Sequence, residues 1–172
     1  MLNIAELKKE NYQEYAMFML SLSWKVNSRF LFLKSQNFEE FKFALEWCGT
    51  HGNVIRTVEV GYFNNFAEFI FGNINLIRSG HFNLLDVPKF GKDTPLSFVS
   101  KICHIINPKS YPLIYDSRLR DTLKVGSLSE YVEKVTHVSK SIHFHRKSMK
   151  FAYQFDSAIW AFGQKFLHKV KI

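Results

Sequence analysis

The residues best suited to chemistry lie in one stretch, residues 94–123. Lys101 is on a predicted helix, and Asp116 stands at the head of the next one. A lysine amine is a nucleophile only when it is neutral, and a carboxylate can take up a proton or stabilise a positive charge. The Pro-bounded link between the two helices can turn the chain back. We therefore expect Lys101 and Asp116 to approach the same cleft.

Polar side chains accompany Lys101 along one side of its helix. They recur at spacings of three, four and seven residues: Ser97, Ser100, Lys101 and His104. The opposite side is largely apolar: Leu96, Val99, Cys103 and Ile106. An ordinary surface lysine and a helix-capping aspartate explain the same residues without any chemistry. Spacing alone leaves both interpretations open.

The elements that must position this pair have clear boundaries. Thr94 is a predicted N-cap and Pro95 a first helical residue, and the helix stops before Asn107 because Pro108 follows. Asp116 is well suited to cap the helix over residues 117–124. The intervening link must be extended near its proline.

Helical periodicity dominates the rest of the chain, and no predicted strand has a partner. Further helices are predicted over residues 4–22, 38–48, 63–77, 128–138 and 146–170. The turn at residues 49–53 is expected to end the second of these, and Ser79 with Gly80 the third. The predicted apolar face of the first helix holds Leu7, Tyr15, Phe18, Met19 and Leu22, and the inward residues of the last are Phe151, Phe155, Ile159, Phe162, Phe166 and Val170. Residues 24–33 form either a second helix or an irregular segment, and residues 54–60 either a helix or an extended connector. We predict a mainly α, single-domain helical bundle of about seven or eight helices over residues 1–172.

Composition narrows the class of protein. Hydrophobic residues make up 47% of the 172, which is enough for a full core. Cys48 and Cys103 are too few for a disulfide framework or a cysteine-based zinc site, so reduced thiols are expected. The longest apolar run, residues 16–20, is far shorter than the ~20 residues that span a bilayer. A cytoplasmic monomer without membrane contact is the expectation.

The net charge of +8 is unevenly distributed. Residues 1–79 carry 8 basic and 8 acidic side chains, whereas residues 80–172 carry 15 basic and 7 acidic ones. A one-sided basic field favours a polyanionic partner, most commonly nucleic acid. A charge that only maintains solubility is the alternative.

The segment SKICHIINPKSYPLIYDSRL, residues 100–119, resembles a known family. Its order of Ser-Lys, His, Pro, Tyr-Pro and Asp-Ser-Arg is similar to that of bacterial proteins related to 8-oxoguanine DNA glycosylase, in the helix-hairpin-helix superfamily. The resemblance implies an all-helical fold and removal of a damaged or modified base from DNA. It also implies that Lys101 attacks the anomeric carbon and forms a Schiff base, which permits strand cleavage, while Asp116 stabilises the sugar cation or deprotonates the nucleophile.

Other residues are candidates for binding. We expect His104, Ser97, Ser100 and Arg118 to contact the substrate, although His104 is equally well explained as a core histidine, and Arg118 as the partner of nearby carboxylates. The basic residues expected to meet the DNA backbone are Lys89, Lys92, Arg120, Arg146 and Lys147. An exposed loop and a solvated helix face are the alternatives for these. His143 and His145 lack a third ligand, so we expect no metal and no cofactor.

The sequence leaves two alternative functions open. The Leu-Pro-Gly-Val-Gly hairpin of the superfamily is absent, and residues 86–91 are at best a degenerate substitute. This favours a non-catalytic DNA-binding or interaction module on the same scaffold. A structural protein without a nucleic-acid partner is the third possibility.

Overall fold

A computed structural model describes residues 12–141 and 149–163. Within them the chain is mainly helical and has no strand, which confirms the predicted fold class. Eight α-helices occur in this part of the chain: α1 (Tyr12–Lys34), α2 (Phe38–His51), α3 (Phe63–Gly72), α4 (Ile74–Ser79), α5 (Leu96–Ile106), α6 (Ser117–Leu123), α7 (Leu128–Ser141) and α8 (Met149–Phe162). None of these helices has the length and apolar character needed to cross a membrane.

The helices pack around two apolar clusters. The first joins the C-terminal half of α1 to α2, α3, α4 and α5, with Phe66 and Phe98 fully buried. The second joins the earlier part of α1 to α6, α7 and α8, with Phe18, Leu119 and Ile159 fully buried. Each such side chain contributes about 1.5–3 kcal/mol by leaving water. The link between α5 and α6 passes from the first cluster to the second.

The first helix continues through residues 24–33, for which the sequence allowed either a second helix or an irregular segment. α1 runs unbroken through residues 24–33 to Lys34, so neither a second helix nor an irregular segment occurs there. No Gly or Pro lies between Tyr12 and Lys34, and nothing therefore removes a backbone hydrogen bond of the helix. The predicted start at residue 4 lies outside the described residues.

The buried side of α1 differs from the predicted one. Phe18 is buried as expected, but Met19 is 44% exposed. The buried line runs instead through Phe18, Lys25 and Phe32, at spacings of seven residues. The prediction that Met19 faces the core is wrong. The apolar pattern used only hydrophobic residues, whereas the buried side of α1 includes Lys25.

The predicted helix over residues 63–77 is two helices. The side-chain amide of Asn73 donates to the carbonyl of Phe69 at 2.8 Å, and the backbone there has φ −98° and ψ 6°. An asparagine that bonds to its own backbone competes with the helical pattern, which explains the break. Gly80 ends α4 with φ 79°, as predicted.

The helix that carries Lys101 begins one residue later than predicted. Pro95 is the N-cap with ψ 54°, outside the helical range, so Leu96 is the first helical residue. No side chain caps this helix, and the N–H of Leu96 donates to the carbonyl of Thr94 at 2.8 Å. The prediction that Thr94 is the cap is therefore wrong.

The last described helix ends earlier than predicted. Gly163 follows α8 in the left-handed region, with φ 56°, and this breaks the predicted helix over residues 146–170. The predicted inward residues that are described are all buried: Phe155, Ile159 and Phe162. The side chains of Phe151, Phe166 and Val170 lie outside the described residues.

The two longer connectors before α5, residues 52–62 and residues 80–95, contain 3-10 turns. Residues 54–60, which the sequence left open, contain one 3-10 turn, Ile55–Thr57, and a second, Val60–Tyr62, leads into α3. A third 3-10 turn, Leu84–Asp86, lies between α4 and α5. α3 and α4 pack beside α5 in the first apolar cluster. The C-terminal end of α2 also lies against α5, where Gly49 faces Phe98.

Candidate functional site

The helix that carries Lys101 is central to the fold. Every residue of α5 from position 98 to position 105 is buried. The predicted polar side of α5 therefore does not face solvent, because the link and α8 cover it while the first apolar cluster covers the other side. A charged lysine in the middle of such a helix requires a partner or a change of protonation state.

The predicted polar residues of α5 fasten the extended link to that helix. The hydroxyl of Ser100 accepts a hydrogen bond from the N–H of Tyr115 at 2.9 Å and donates to the carbonyl of Ser97 at 3.1 Å. His104 Nδ1 lies 2.7 Å from the carbonyl oxygen of Tyr111 and donates to it, because that oxygen can only accept. These bonds fix the direction in which the chain reaches α6.

Asp116 caps α6 as predicted, and its two oxygens have separate partners. Oδ1 accepts a hydrogen bond from the N–H of Leu119 at 2.8 Å, which is the N-cap interaction. Oδ2 lies 4.0 Å from the Nζ of Lys101. The cap thus fixes the carboxylate while leaving one oxygen directed at the amine.

Lys101 and Asp116 lie close together and both remain partly accessible to solvent. Their separation exceeds the length of a hydrogen bond, and their side chains remain 11% and 13% exposed. A small molecule can therefore reach both groups from the same side. The two could not exchange a proton directly at this distance, but one atom of a bound substrate or water could contact both.

Burial shifts both groups toward their neutral forms. Desolvation lowers the pKa of Lys101, and the attraction of Asp116 only partly opposes that shift. Desolvation likewise raises the pKa of Asp116, against the effects of Lys101 and of the N–H of Leu119. A lysine with a lowered pKa provides more of the neutral amine, which is the nucleophilic form.

A cleft of about 320 Å³ opens onto the pair. Its size lies at the lower end of the range for small-molecule sites. Lys101 and Asp116 line it together with Asp156 from α8, and Trp24 of α1 and Trp160 of α8 supply aromatic walls. The cleft thus combines two titratable groups, a third carboxylate and two indole rings.

The position of Trp24 is determined by α2. Its Nε1–H donates to the carbonyl of Cys48 at 3.3 Å. Gly52, at the end of α2, lies against the same ring, since a Cβ at that position would stand 2.6 Å from Cζ2 of Trp24. A larger residue at position 52 would therefore displace Trp24 from its position in the cleft.

Sequence reasoning missed most of the cleft wall. The turn that contains His51, Gly52 and Asn53 was predicted only as a helix end, and Trp24 and Trp160 were not singled out. The one available signal was the rarity of tryptophan: the third, Trp47, stacks on His51 with ring centroids 4.0 Å apart. All three tryptophans therefore lie at or next to the cleft.

The remaining predicted residues that are described occupy different places. The guanidinium of Arg118 lies 4.8 Å from the ring centroid of Trp160, at the rim of the cleft. His104 is fully buried and, like Ser97 and Ser100, does not line the cleft. The guanidinium of Arg120 lies over Tyr115 instead.

The basic loop before α5 is exposed, but one of its backbone donors is occupied. Lys89 and Lys92 both face solvent. The N–H of Lys92 donates to Oε1 of Glu59 at 2.8 Å, so it is not available to a phosphate in this arrangement. Arg146 and Lys147, like His143 and His145, lie outside the described residues.

Comparisons with protein-family models, curated proteins and solved structures give no match for this chain. They therefore do not bear on the resemblance to the glycosylase family, which rests on residues 100–119. Among the described residues, no three His, Cys, Asp or Glu side chains are grouped so that they could hold a metal ion. What the site can do follows from its own geometry.

Proposed function

We propose that this protein is a DNA glycosylase-like enzyme that removes a damaged or modified base and cleaves the resulting abasic site through a lysine Schiff base. One observation carries the proposal. The amine of Lys101 and the carboxylate of Asp116 lie 4.0 Å apart at the wall of one cleft that two tryptophans flank. The resemblance of residues 100–119 to glycosylases assigns the same two residues to the reaction.

Lys101 is the nucleophile in this proposal. Its lone pair forms a bond to C1′ of the target nucleotide while the N-glycosidic bond breaks, and the electron pair of that bond leaves with the base. The proton that Nζ loses passes through a bridging water to Asp116, and from Asp116 to the departing base. Asp116 also stabilises the positive charge that develops on the sugar.

The second half of the reaction uses the same amine. The nitrogen lone pair opens the sugar ring, O4′ takes up a proton, and a Schiff base between Nζ and C1′ results. Loss of a proton from C2′ then expels the 3′-phosphate with the bonding electron pair, which cleaves the strand. Hydrolysis of the Schiff base returns Lys101 as a free amine.

The shape and charge of the molecule suit an everted nucleotide. A base that leaves the duplex loses its stacking, and the indole rings of Trp24 and Trp160 offer replacement surfaces. Arg118, over Trp160 at the rim, is placed to meet a phosphate of that nucleotide. Residues 80–172 carry the excess of positive charge that a DNA backbone attracts.

Borohydride trapping tests the proposal. Hydride reduces the Schiff base to a stable amine, so wild-type protein should become covalently attached to duplexes that contain 8-oxoguanine or an abasic site. Lys101→Gln should abolish the adduct, and Asp116→Asn should slow its formation at least about 100-fold. Lys109→Gln, an exposed lysine just beyond α5, is the matched control and should leave the adduct unchanged.

The alternative function predicts a different result. A non-catalytic module on this scaffold would bind DNA with a strong salt dependence, form no adduct in the wild type, and bind equally well as Lys101→Gln. That set of results would overturn the proposed enzyme. An adduct that persists in Lys101→Gln would overturn the assignment of the nucleophile.

A further inference from the structure

A second buried lysine–aspartate pair lies beside the first. The ammonium of Lys25, on α1, donates to Oδ2 of Asp156 at 2.5 Å, to the hydroxyl of Ser157 at 2.7 Å and to that of Ser21 at 3.1 Å. The side chains of Lys25 and Asp156 are 0% and 1% exposed. All three donors of the ammonium are therefore satisfied inside the protein.

Asp156 connects this pair to the candidate site. Its other oxygen, Oδ1, accepts a hydrogen bond from the N–H of Ile114 at 2.8 Å, two residues before Asp116. Asp156 also lines the same cleft as Lys101 and Asp116. One carboxylate thus holds the link that delivers Asp116 and borders the space in which Lys101 lies.

We propose that Lys25 is a positioning residue for this site: by pairing with Asp156, it prevents that carboxylate from becoming a second counter-ion of Lys101. Lys101 then has Asp116 as its principal acidic partner. The consequence for adduct formation rests on the proposed function, whereas the consequence for the charge of Lys101 does not.

The charges in this region balance only when both lysines are counted. Two aspartates and two lysines sum to zero, so the positive charge of Lys25 offsets the negative charge of Asp156. Without the positive charge of Lys25, the carboxylates of Asp116 and Asp156 would both act on the single amine of Lys101. Opposite charges nearby favour the ammonium form, which has no lone pair for attack.

The charged and titratable groups around Lys101 come from four elements. They are Asp116 at the head of α6, Asp156 on α8, Lys25 on α1 and, from α2, Cys48 and the cleft-lining His51. Burial raises the pKa of Cys48 to about 12, so that thiol is neutral at ordinary pH. The attraction of Asp156 raises the pKa of Lys101, and the repulsion of Lys25 lowers it. The two residues of the second pair therefore act on Lys101 in opposite directions.

The electrostatics of Asp156 agree with this role. Burial alone would raise the pKa of Asp156, but the charge of Lys25 and the hydrogen bonds from Lys25 and Ile114 oppose this effect, and the pKa is lowered. Asp156 is thus ionised at neutral pH. Burial lowers the pKa of Lys25, and the charge and hydrogen bond of Asp156 oppose that shift. Three acceptors around Nζ match the three donors of an ammonium, so the geometry is that of an ion pair. Its charge would reach Lys101 with less opposition if Lys25 were removed.

An NMR titration of the lysine side chains tests the inference without DNA. The signal of Lys101, assigned by its loss in Lys101→Gln, should have its pH midpoint moved upward by Lys25→Met and downward by Asp156→Asn. The double variant Lys25→Met/Asp156→Asn should fall between the two single variants. Lys34→Met, an exposed lysine on the same helix, is the matched control and should leave the midpoint in place.

The trapping rate should follow the titration. A rise of one pH unit in the midpoint makes the neutral amine about tenfold scarcer, so Lys25→Met should form the adduct about tenfold more slowly at pH 7 and recover at higher pH. A purely structural role would lower the rate at every pH and move no midpoint. If Lys25→Met does not fold, Asp156→Asn and the double variant still test the inference, because the midpoint of Lys101 should be lower in Asp156→Asn than in the double variant.

The two proposals fail in different ways. If the wild type forms no adduct while the midpoints move in opposite directions, the proposed function is wrong and the electrostatic role of Lys25 stands. If the adduct forms but Lys25→Met and Asp156→Asn leave the midpoint unchanged or move it the same way, the role of Lys25 is wrong.

Discussion

The two buried lysine–aspartate pairs use the same residue types and differ in distance and access. Lys25 and Asp156 are 2.5 Å apart and closed to solvent. Lys101 and Asp116 are 4.0 Å apart, with side chains that remain 11% and 13% exposed. The first arrangement has the geometry of a charge-assisted hydrogen bond, and the second does not.

The difference separates a pair that joins helices from one that is available for chemistry. The sealed pair connects α1 to α8 and, through Ile114, to the link before α6. The open pair leaves an amine and a carboxylate oxygen beside a cleft, where a substrate can contact both. Residue type therefore does not distinguish these roles, whereas the number of internal hydrogen bonds does.

The largest expected effect is on stability, and it should fall on the sealed pair. Lys25→Met leaves Asp156 buried without its counter-ion and should lower the free energy of unfolding by about 3–5 kcal/mol. Lys101→Met should lower it by less, about 1 kcal/mol, since no direct hydrogen bond is lost at 4.0 Å and Asp116 keeps its hydrogen bond from Leu119. Urea unfolding followed by circular dichroism measures both values.

Lys34→Met controls for loss of a lysine from α1, because Lys34 is exposed at the end of that helix. It should change the free energy of unfolding by less than about 0.5 kcal/mol. Equal losses for Lys25→Met and Lys101→Met would contradict the distinction between the two pairs.

The second expected effect concerns the pH dependence of stability. His104 is fully buried, and desolvation lowers its pKa from 6.5 to about 4. Because the folded pKa lies below the unfolded one, the unfolded chain takes up the proton first as the pH falls, and stability is lost between about pH 6.5 and pH 4. The free energy of unfolding should be about 2 kcal/mol lower at pH 5 than at pH 7.5.

A histidine variant isolates this contribution from other titrating groups. His104→Gln should flatten the change between pH 7.5 and pH 5, whatever its effect on stability at pH 7.5. His81→Gln, which removes an exposed imidazole, should retain the full change. If the pH dependence is the same in His104→Gln as in the wild type, His104 does not stay neutral in the folded state.

Local chemistry made part of the candidate site predictable. Asp116 was identifiable because an aspartate after a Pro-bounded link caps a helix, and the structure confirms that cap. Helical spacing predicted that Lys101 shares one side of its helix with polar residues, and the resemblance of residues 100–119 made it a candidate for the reaction. Each of these inferences depends on residues within one turn or one link, where sequence neighbours are also neighbours in space.

The rest depends on contacts that span the chain. Lys25 and Asp156 are 131 residues apart, and nothing in either local sequence identifies the other as its partner. Trp24 and Trp160 meet at the cleft only because α1 packs on α8. The apolar pattern of α1 also predicted that Met19 is buried, but Met19 is exposed. The pattern did not include Lys25, which is buried because it pairs with a carboxylate far away in the sequence.

The smallest expected effect distinguishes the two functions of Asp116. Asp116→Ala removes the N-cap of α6 and should cost about 1 kcal/mol of stability, measured by urea unfolding, whereas Asp116→Asn keeps an acceptor for the N–H of Leu119 and should cost less. Asn37→Ala is the matched control, because Asn37 caps α2 through the N–H of Glu40 and should cost a similar amount. Adduct formation should slow at least about 100-fold in both Asp116 variants and keep its wild-type rate in Asn37→Ala. Each residue caps a helix, but only Asp116 places a charge beside Lys101. Retention of the adduct in Asp116→Asn would show that the open pair needs the cap and not the carboxylate.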